Sequence, residues 1–322
     1  MKLARTATLF SGGGTLEAGL LGFIEPVLAV EYSPQIAQHY ARVWGDHVIT
    51  ASVSDVDYQA ANAQLRPVDY LHASPVCKSF SAAKMEGGER CEDLAMAEAT
   101  VAALVAFRPV VFTVENVPDY VRSRSFATIV AALEGLGYSF DARVFDASEY
   151  GAATRRKRLL LRAVSSGSVP APPAPTGGAD WYEAVSDLIP SMRDSTLPNW
   201  ATERMARKGV TLADVRRPAL LAGGSAGAGV VPFSEAGGPA FTIKATPNEL
   251  HRIVLPGGIV KALSPRALAR ITGLPDAYPL PEKSALATTI VGNGIPVPLT
   301  RAVIGPLLRS RAKSFHGREA PR

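Results

Sequence analysis

The first half of the chain alternates short apolar runs with stretches of helical periodicity, and this alternation limits the possible folds more than any other feature. Runs with the length of buried strands occupy residues 6–10, 26–31, 69–72, 109–114, 138–145 and 157–163. Helical spacing of apolar residues occupies 34–43, 91–107 and 125–136. Strands that alternate with helices pair into parallel sheets covered by helices on both faces. We therefore predict an α/β fold with a doubly wound, mostly parallel sheet.

The composition excludes several classes of protein. Only two cysteines, Cys77 and Cys91, occur in 322 residues, so a disulfide framework is excluded. The five histidines are scattered and no Cys/His cluster has zinc spacing, so we expect no metal. The apolar run at residues 6–10 is too short for a signal peptide or a membrane span, which predicts a cytoplasmic protein without membrane contact. The net charge of +5 permits a polyanionic partner without requiring one.

The composition changes at Ser165–Pro175, where serine and proline predict a linker. The segment beyond it contains a glycine-rich stretch at residues 223–229 and the basic residues Arg204, Arg207, Lys208, Arg216 and Arg217. Such residues occur both on solvated helix faces and on binding surfaces, and composition does not distinguish the two. We expect a helix at residues 264–273 after an N-cap at Ser264. Residues 290–298 are expected to form an apolar strand broken by a turn, before a last helix to Leu308.

A glycine turn, Ser11–Gly14, connects the first predicted strand to a helix. Glycines there allow a ligand to approach the backbone and the helix N-terminus, although a plain tight turn has the same composition. Glu31 ends the second predicted strand. An acid about twenty residues past such a turn binds ribose hydroxyls in dinucleotide-binding folds, and is otherwise a solvated charge. Together the two features favour a nucleotide-like ligand.

Cys77 lies in a loop after the apolar run that ends at His72. A single cysteine is more often an inert buried residue than a nucleophile. However, loops at the carboxyl ends of parallel strands are where open α/β sheets bind ligands. Glu115 ends a further strand, so we expect the same sheet edge to bring together a thiol, a carboxylic acid and a nucleotide-like site. That combination suits covalent attack on an electron-poor ring that an acid activates by protonation.

The motifs around these residues resemble those of the DNA (cytosine-5) methyltransferases, which use S-adenosylmethionine, and the resemblance extends over nearly the whole chain. Phe10–Gly14 resembles the F-x-G-x-G cofactor turn, Pro75–Ser81 the P-P-C-Q-x-F-S nucleophile loop, Glu115–Val117 the E-N-V motif, Tyr150–Arg158 the Y-G-x-P-Q-R-R-x-R motif, Lys261–Asp276 the R-x-L-T-P-R-E … G-F-P-D block, and Gly292–Pro296 the closing G-N-x-V-P block. A single match has little weight, whereas six in the family's order indicate membership.

The resemblance implies a mechanism and a set of site residues. The Cys77 thiolate adds to C6 of a cytosine, while Glu115 donates or shares a proton at N3. Arg158 orients the base and Glu115, and Arg156 supports the loop. The residues implied to bind S-adenosylmethionine are Phe10, Gly12, Gly14, Glu31, Ser52, Pro75, Leu94 and Asn293. The implied substrate is double-stranded DNA, from which the target base must be flipped to reach a thiol.

The same resemblance implies the organisation of the chain. Residues 1–163 form the catalytic and cofactor-binding domain with a Rossmann-like methyltransferase sheet. Residues 164–283 form a small, irregular target-recognition domain, and residues 284–322 return to the catalytic domain and end in a basic tail. A monomeric, bacterial or phage-encoded enzyme is implied. A cognate restriction endonuclease is a compatible partner but is not required.

Departures from the family's pattern include Val76 and Lys78 beside the nucleophile, Thr154 in the Arg-rich motif, and Ser52 in place of an aspartate that holds the adenine amino group. A cation at Lys78 favours the Cys77 thiolate. Three alternatives remain open: cytosine-5 methylation of tRNA or another RNA, transfer of a group larger than methyl, and a catalytically dead nucleic-acid-binding module.

Overall fold

The chain is divided between two compact units. The computed structural model describes residues 2–65, 67–76, 89–221, 233–243, 245 and 251–316. The first unit consists of Met1–Phe145, Lys157–Ala174 and Thr300–Arg322, and the second of Asp146–Arg156 and Pro175–Leu299. Cys77, Lys78 and the glycine-rich stretch at residues 223–229 lie outside the described residues.

One seven-stranded sheet organises the first unit. Its strands are β1 (Ala4–Leu9), β2 (Ile24–Glu31), β3 (Val48–Thr50), β4 (Tyr70–Ala73), β5 (Val111–Asn116), β6 (Ser139–Asp146) and β7 (Lys157–Val164). They lie in the order β3-β2-β1-β4-β5-β7-β6. Neighbours from β3 to β5 are parallel, whereas β7 pairs antiparallel with β5. The predicted doubly wound, mostly parallel sheet is confirmed.

Helices connect the strands as the apolar spacing predicts, with one exception. The helices of this unit are α1 (Thr15–Gly19), α2 (Pro34–Trp44), α3 (Tyr58–Leu65), α4 (Cys91–Phe107) and α5 (Arg124–Gly135). The exception is α3, which buries only Tyr58 and Asn62. It therefore has no apolar stripe from which the sequence could predict a helix. Instead, Asn62 Nδ2 donates a hydrogen bond of 2.8 Å to the carbonyl of Ala106 in α4.

The two faces of the sheet differ in chemistry. Leu71 and Phe112 belong to the apolar core, which also includes side chains from α3, α4 and α5. The alternate residues of the same strands are polar, since Tyr70, His72 and Thr113 are buried on the other face. Buried polar groups therefore run toward the carboxyl ends of the two central strands, β4 and β5.

The strand order reverses at the pair β1 and β4. From β1 the chain moves outward to β2 and β3, and then returns to place β4 on the other side of β1. Open α/β sheets bind ligands outside the carboxyl ends of the strands at such a reversal. The glycine turn follows β1, and Ser74 and Pro75 follow β4, so both loops start at this edge of the sheet.

The second unit contains a small antiparallel sheet where an irregular domain is expected. Its strands β8 (Ala219–Leu221), β9 (Phe233–Glu235), β10 (Arg252–Val254) and β11 (Val260–Ala262) lie in the order β11-β10-β8-β9. Helix α6 (Asn199–Arg207) packs Ala201 and Met205 into the core of this sheet. The unit also contains α7 (Pro265–Ile271) and α8 (Ser284–Asn293). Three-residue strands are too short to show an alternating pattern, which is why the sequence does not reveal them.

One expectation for the C-terminal third is wrong. Residues 290–293 are the last turn of α8 and not a strand, because Ala287, Ile290 and Val291 are buried at helical spacing. The last helix, α9 (Val297–Arg311), follows as predicted. The chain passes from one compact unit to the other at residues 145/146, 156/157, 174/175 and 299/300. The domain limits expected from the sequence are 163/164 and 283/284. Residues 146–156, expected in the catalytic domain, cluster with the second unit.

The pair of Arg162 and Asp141 yields a test of this fold. The Arg162 side chain is 1% exposed and binds Asp141 through Nε at 2.9 Å and Nη2 at 2.6 Å. Asp141→Ala would leave a buried guanidinium without its partner, so we expect the free energy of unfolding to fall by about 3 kcal/mol. Urea denaturation measures the change. The control Arg143→Ala removes only an exposed contact with the same carboxylate and should cost less than about 1 kcal/mol.

Candidate active site

The glycine turn has a backbone that few side chains tolerate. Phe10, Gly12 and Gly14 all have positive φ, at 57°, 56° and 81°. A Cβ on Gly14 would lie 2.1 Å from Trp44 Nε1, so only glycine fits beneath the indole. A Cβ on Gly12 would meet no described atom within 4 Å. The turn is thus closed on the side of Trp44 and open at Gly12, where a ligand can approach the backbone.

Glu31 contacts this turn directly. Its Oε2 accepts a hydrogen bond of 2.9 Å from the backbone N–H of Gly12, and its Oε1 accepts one of 2.8 Å from Ser33. A carboxylate accepts about four hydrogen bonds, so lone pairs remain for a ligand. The next residue, Tyr32, is 79% exposed and was not singled out in the sequence. The sequence could have pointed to Tyr32, because it is an aromatic residue directly after a strand-end acid and such a ring can stack on a nucleobase.

Glu115 and Arg158 form an ion pair at the end of β5. Arg158 Nε lies 2.6 Å from Glu115 Oε1, and the two side chains are 12% and 9% exposed. Arg158 Nη1 also donates to the carbonyl of Lys157 at 2.8 Å. The predicted acid and the predicted arginine are therefore brought together, with the guanidinium holding one oxygen of the carboxylate.

Asn116 connects this acid to the loop that leads to Cys77. Its Nδ2 donates a hydrogen bond of 3.0 Å to the carbonyl of Pro75, and its Oδ1 accepts one of 2.8 Å from the N–H of Val117. Pro75 is buried and Val76 is 46% exposed. The chain is thus held two residues before Cys77 by the residue next to Glu115. Asn116 belongs to the E-N-V motif, but the sequence did not predict its contact with Pro75.

A buried polar chain lies behind the same loop. His72 Nδ1 is 2.7 Å from Thr113 Oγ1, His72 Nε2 is 3.0 Å from Ser74 Oγ, and Thr113 Oγ1 is 2.7 Å from the Tyr70 hydroxyl. Burial lowers the pKa of His72 to about 3, so the imidazole is neutral at neutral pH. A neutral imidazole can donate through one nitrogen and accept through the other, which links β5 to the start of the loop. The alternation of Tyr70, His72 and Ser74 was the sequence feature from which this series of hydrogen bonds could have been predicted.

A second buried group, Glu17, lies in the helix after the glycine turn. Its Oε1 accepts hydrogen bonds from Thr8 Oγ1 at 2.9 Å and from the Tyr40 hydroxyl at 3.0 Å. Its Oε2 meets no hydrogen-bond partner among the described residues, and neither does the buried hydroxyl of Ser11. Burial raises the pKa of Glu17, while its hydrogen bonds act in the opposite direction. The carboxyl group ties α1 to β1 and α2 and so supports the turn.

The remaining predicted cofactor residues of the first unit lie at the ends of other elements. Ser52 is the N-cap of a short 3₁₀ turn, Val53–Asp55, and its Oγ is 2.7 Å from Ser54 Oγ. Leu94 is half-buried in the first turn of α4. Among the described residues, no group of three or more His, Cys, Asp or Glu side chains is placed to hold a metal ion.

Three of the singled-out residues belong to the second unit. Arg156 is 3% exposed, and its Nη1 and Nη2 donate to the carbonyls of Ile243 and Gly292 at 2.9 and 2.8 Å. Thr154 Oγ1 donates to the carbonyl of Phe241 at 3.0 Å, so a hydroxyl holds the backbone where the family's pattern has glutamine. Asn293 is exposed at the end of α8.

We expect the glycine turn to tolerate substitution at Gly12 better than at Gly14. Gly12→Ala adds a side chain in open space, so its cost is the strain of a positive φ, about 1–2 kcal/mol. Gly14→Ala adds a clash with Trp44 to the same strain and should cost clearly more, about 3 kcal/mol. Chemical denaturation of the two variants measures both values. Equal losses would contradict the steric role of Trp44.

His72 should make the protein sensitive to acid. Because its pKa is lowered on folding, the unfolded chain binds the proton more readily, and stability falls as the pH drops below the unfolded pKa of about 6.5 toward 3. In His72→Asn this loss is removed, so its free energy of unfolding should fall less steeply by up to about 1.4 kcal/mol per pH unit. Denaturation series between pH 7 and 4 test this, and parallel curves for both proteins would disprove it.

The chain is similar over most of its length to a known protein family and to named proteins. The family model described as C-5 cytosine-specific DNA methylase matches residues 4–214 and 238–309. The chain is 25% identical over 305 residues to Type II methyltransferase M.NlaX of Neisseria lactamica, covering 92% of this chain and 93% of the relative. It is 24% identical over 319 residues to Type II methyltransferase M.HaeII of Haemophilus aegyptius, covering 96% and 94%.

Solved structures share the fold over nearly the full length. The S. pombe Dnmt2 methyltransferase matches with a TM-score of 0.67 at 14% identity, covering 96% of this chain and 99% of the other. A putative DNA modification methyltransferase encoded within an E. coli prophage matches with a TM-score of 0.67 at 17% identity, covering 95% and 99%. Identities this low support the fold alone. Because the family model spans most of its length, the chain belongs to the C-5 cytosine-specific DNA methylase family.

Proposed function

We propose that this member of the family transfers a methyl group from S-adenosylmethionine to C5 of a cytosine flipped out of double-stranded DNA, through a covalent bond between Cys77 and C6. The observation that supports this most is the pairing of neighbouring strands. Glu115 and Asn116 end β5, and Asn116 binds the carbonyl of Pro75 in the chain that leads from β4 to Cys77. The acid and the nucleophile therefore start from adjacent strand ends.

The residues around the glycine turn fit a nucleoside cofactor. The open space at Gly12 admits a close approach to the backbone, and Glu31 offers carboxylate lone pairs beside it. Tyr32 presents an exposed ring next to Glu31, suited to stacking on adenine. Phe10, Gly14, Ser52, Pro75, Leu94 and Asn293 complete the proposed set. When bound, S-adenosylmethionine supplies an electrophilic methyl group.

The residues of the first unit account for the remaining chemistry. The Cys77 thiolate adds to C6 and opens the C5–C6 double bond, which makes C5 nucleophilic. Glu115 donates or shares a proton at N3, where negative charge otherwise develops. After C5 has gained the methyl group, a base or water removes the C5 proton. The electron pair re-forms the double bond, and the Cys77 thiolate is released.

Arg158 and Arg156 have different proposed roles. Arg158 fixes the Glu115 carboxylate through a contact of 2.6 Å and is the residue expected to orient the base with it. Both terminal nitrogens of Arg156 donate hydrogen bonds to backbone carbonyls of the second unit. We therefore propose that Arg156 supports the loop and does not contact the reacting atoms.

The second unit is the proposed target-recognition region. Arg204 lies over the Trp200 ring, 5.3 Å from its centroid. Further exposed cations follow within the next thirteen residues of the chain: Arg207, Lys208, Arg216 and Arg217. Exposed cations of this kind neutralise phosphates, which makes duplex DNA the proposed partner. The family model leaves residues 215–237 unmatched, and a segment particular to this chain is where we place the choice of target sequence.

The cellular setting is proposed by analogy with the relatives. Two of them are named Type II methyltransferases. We propose that this protein acts as a monomer on DNA in the cytoplasm of a bacterium, encoded by the bacterium or a phage, and that a cognate restriction endonuclease is compatible with its role but not required. Among the described residues, no helix is long and apolar enough to cross a membrane.

Cys77→Ser gives the central test of the mechanism. The serine hydroxyl is a far weaker nucleophile than a thiolate, so we expect binding of DNA and cofactor to persist while turnover falls by at least about a thousandfold. The wild type should form a covalent adduct with DNA that contains 5-fluorocytosine, because fluorine at C5 blocks the final elimination. Denaturing gel electrophoresis detects that adduct.

Methylome sequencing separates the candidate substrates. DNA from an expressing host that lacks its own cytosine methylation should contain 5-methylcytosine at a defined site. Methylated RNA with unmodified DNA would move the activity to the RNA alternative. An absence of covalent adduct with any cytosine-containing DNA or RNA would leave the inactive binding module as the explanation.

A further inference from the structure

Both described ends of the segment that contains Cys77 are held by one stretch of chain, Glu115–Ser125. At the near end, Asn116 Nδ2 binds the carbonyl of Pro75 at 3.0 Å. At the far end, Glu89 Oε2 accepts the backbone N–H of Arg124 at 2.8 Å, and Oε1 accepts that of Ser125 at 2.7 Å. The hydroxyl of Ser125 donates to the same Oε1. The stretch that presents Glu115 therefore also fixes where the segment begins and ends.

Glu89 is not needed merely to complete the N-terminus of α5. The helix has its own N-cap, Ser123, whose Oγ accepts the N–H of Phe126 at 3.0 Å and whose carbonyl accepts that of Ala127 at 3.2 Å. Glu89 takes the two earlier N–H groups, which point outward and are normally satisfied by water. Here the carboxylate of Glu89, 35 positions before Arg124, accepts them instead.

The contact is strong because the carboxylate is charged. Burial raises the pKa of Glu89, but the hydrogen bonds from Ser125 and Arg124 and the charge of Arg124 together lower it below its usual value. Glu89 is thus ionised at neutral pH, and it faces the positive end of a twelve-residue helix. Hydrogen bonds to an ionised acceptor are about twice as strong as neutral ones.

We propose that Glu89 is a positioning residue for the methyl transfer, which holds the distal end of the Cys77 segment to the stretch that contains Glu115. This inference rests on the proposed function. Fixing both ends of a segment removes conformations that would otherwise compete with the reactive one. A displacement of a reacting group by about 1 Å can slow a reaction about a hundredfold, so a distant anchor can matter for a nucleophile.

The test compares two cap deletions in the full chain. Glu89→Ala removes the anchor, and Asp57→Ala removes a carboxylate that accepts the N–H groups of Gln59 and Ala60 in α3, outside the Glu115–Ser125 stretch. Glu89→Gln, which retains one acceptor and no charge, serves if the alanine variant does not fold. For each protein, thermal unfolding, affinity for cofactor and DNA, the rate of adduct formation with 5-fluorocytosine DNA, and hydrogen exchange in peptides covering residues 77–88 are measured.

We expect the Glu89 variants to form the adduct at least about tenfold more slowly, with affinities within about twofold of wild type. Asp57→Ala should lose similar thermal stability and keep the wild-type rate. Hydrogen exchange at residues 77–88 should rise in the Glu89 variants only. Unchanged exchange there, or equal slowing by both cap deletions, would overturn the proposal. If wild type forms no adduct while exchange changes as expected, the anchor stands and the proposed function fails.

Discussion

The contact between Glu115 and Arg158 depends on the direction of β7, and the proposed chemistry depends on that contact. A parallel strand beside β5 would begin at the opposite edge of the sheet. Because β7 is antiparallel, it begins at the edge where β5 ends, and Arg158 becomes a diagonal neighbour of Glu115 on the same face. Removing one partner of a pair this buried leaves an uncompensated charge, at a cost of about 3–5 kcal/mol. The reversed strand thus supplies the counter-charge that keeps an acid at a buried strand end.

The same edge combines rigid polar contacts with backbone that must remain open. At the carboxyl end of β4, the neutral imidazole of His72 bridges Thr113 and Ser74, and no charge has to be stabilised there. At the neighbouring strand end, positive φ values and the missing Cβ of Gly12 keep the glycine turn accessible. Hydrogen bonds from side chains to backbone, such as that of Asn116 to Pro75, place the loops relative to each other. The proposed reaction requires this rigidity, because a nucleophile, an acid and a methyl donor must meet at one ring.

Sequence patterns predicted most of the large sheet, because strands such as β1, β2 and β7 and helices such as α4 are long enough to show their periods. Helix α4 was expected at residues 91–107 and is found at Cys91–Phe107. Where an element is short or its buried residues are polar, the pattern fails, as for α3 and the three-residue strands of the second unit. The strand predicted from the apolar run at residues 290–293 is wrong for another reason, because four residues fit either a strand or the end of a helix.

The sequence by itself determined the doubly wound sheet, the glycine turn between its first strand and first helix, and the motifs that place the chain in its family. These features are local, because each depends on spacing within about twenty residues. Only the tertiary structure decided which side chains meet: Glu31 with Gly12, Asn116 with Pro75, and Glu89 with the start of α5. It also decided that Arg156 binds carbonyls while Arg158 binds an acid, although the two are separated by one residue. The reason is that such contacts join residues distant in sequence, and strand order and direction, which set them, leave no periodic trace in the chain.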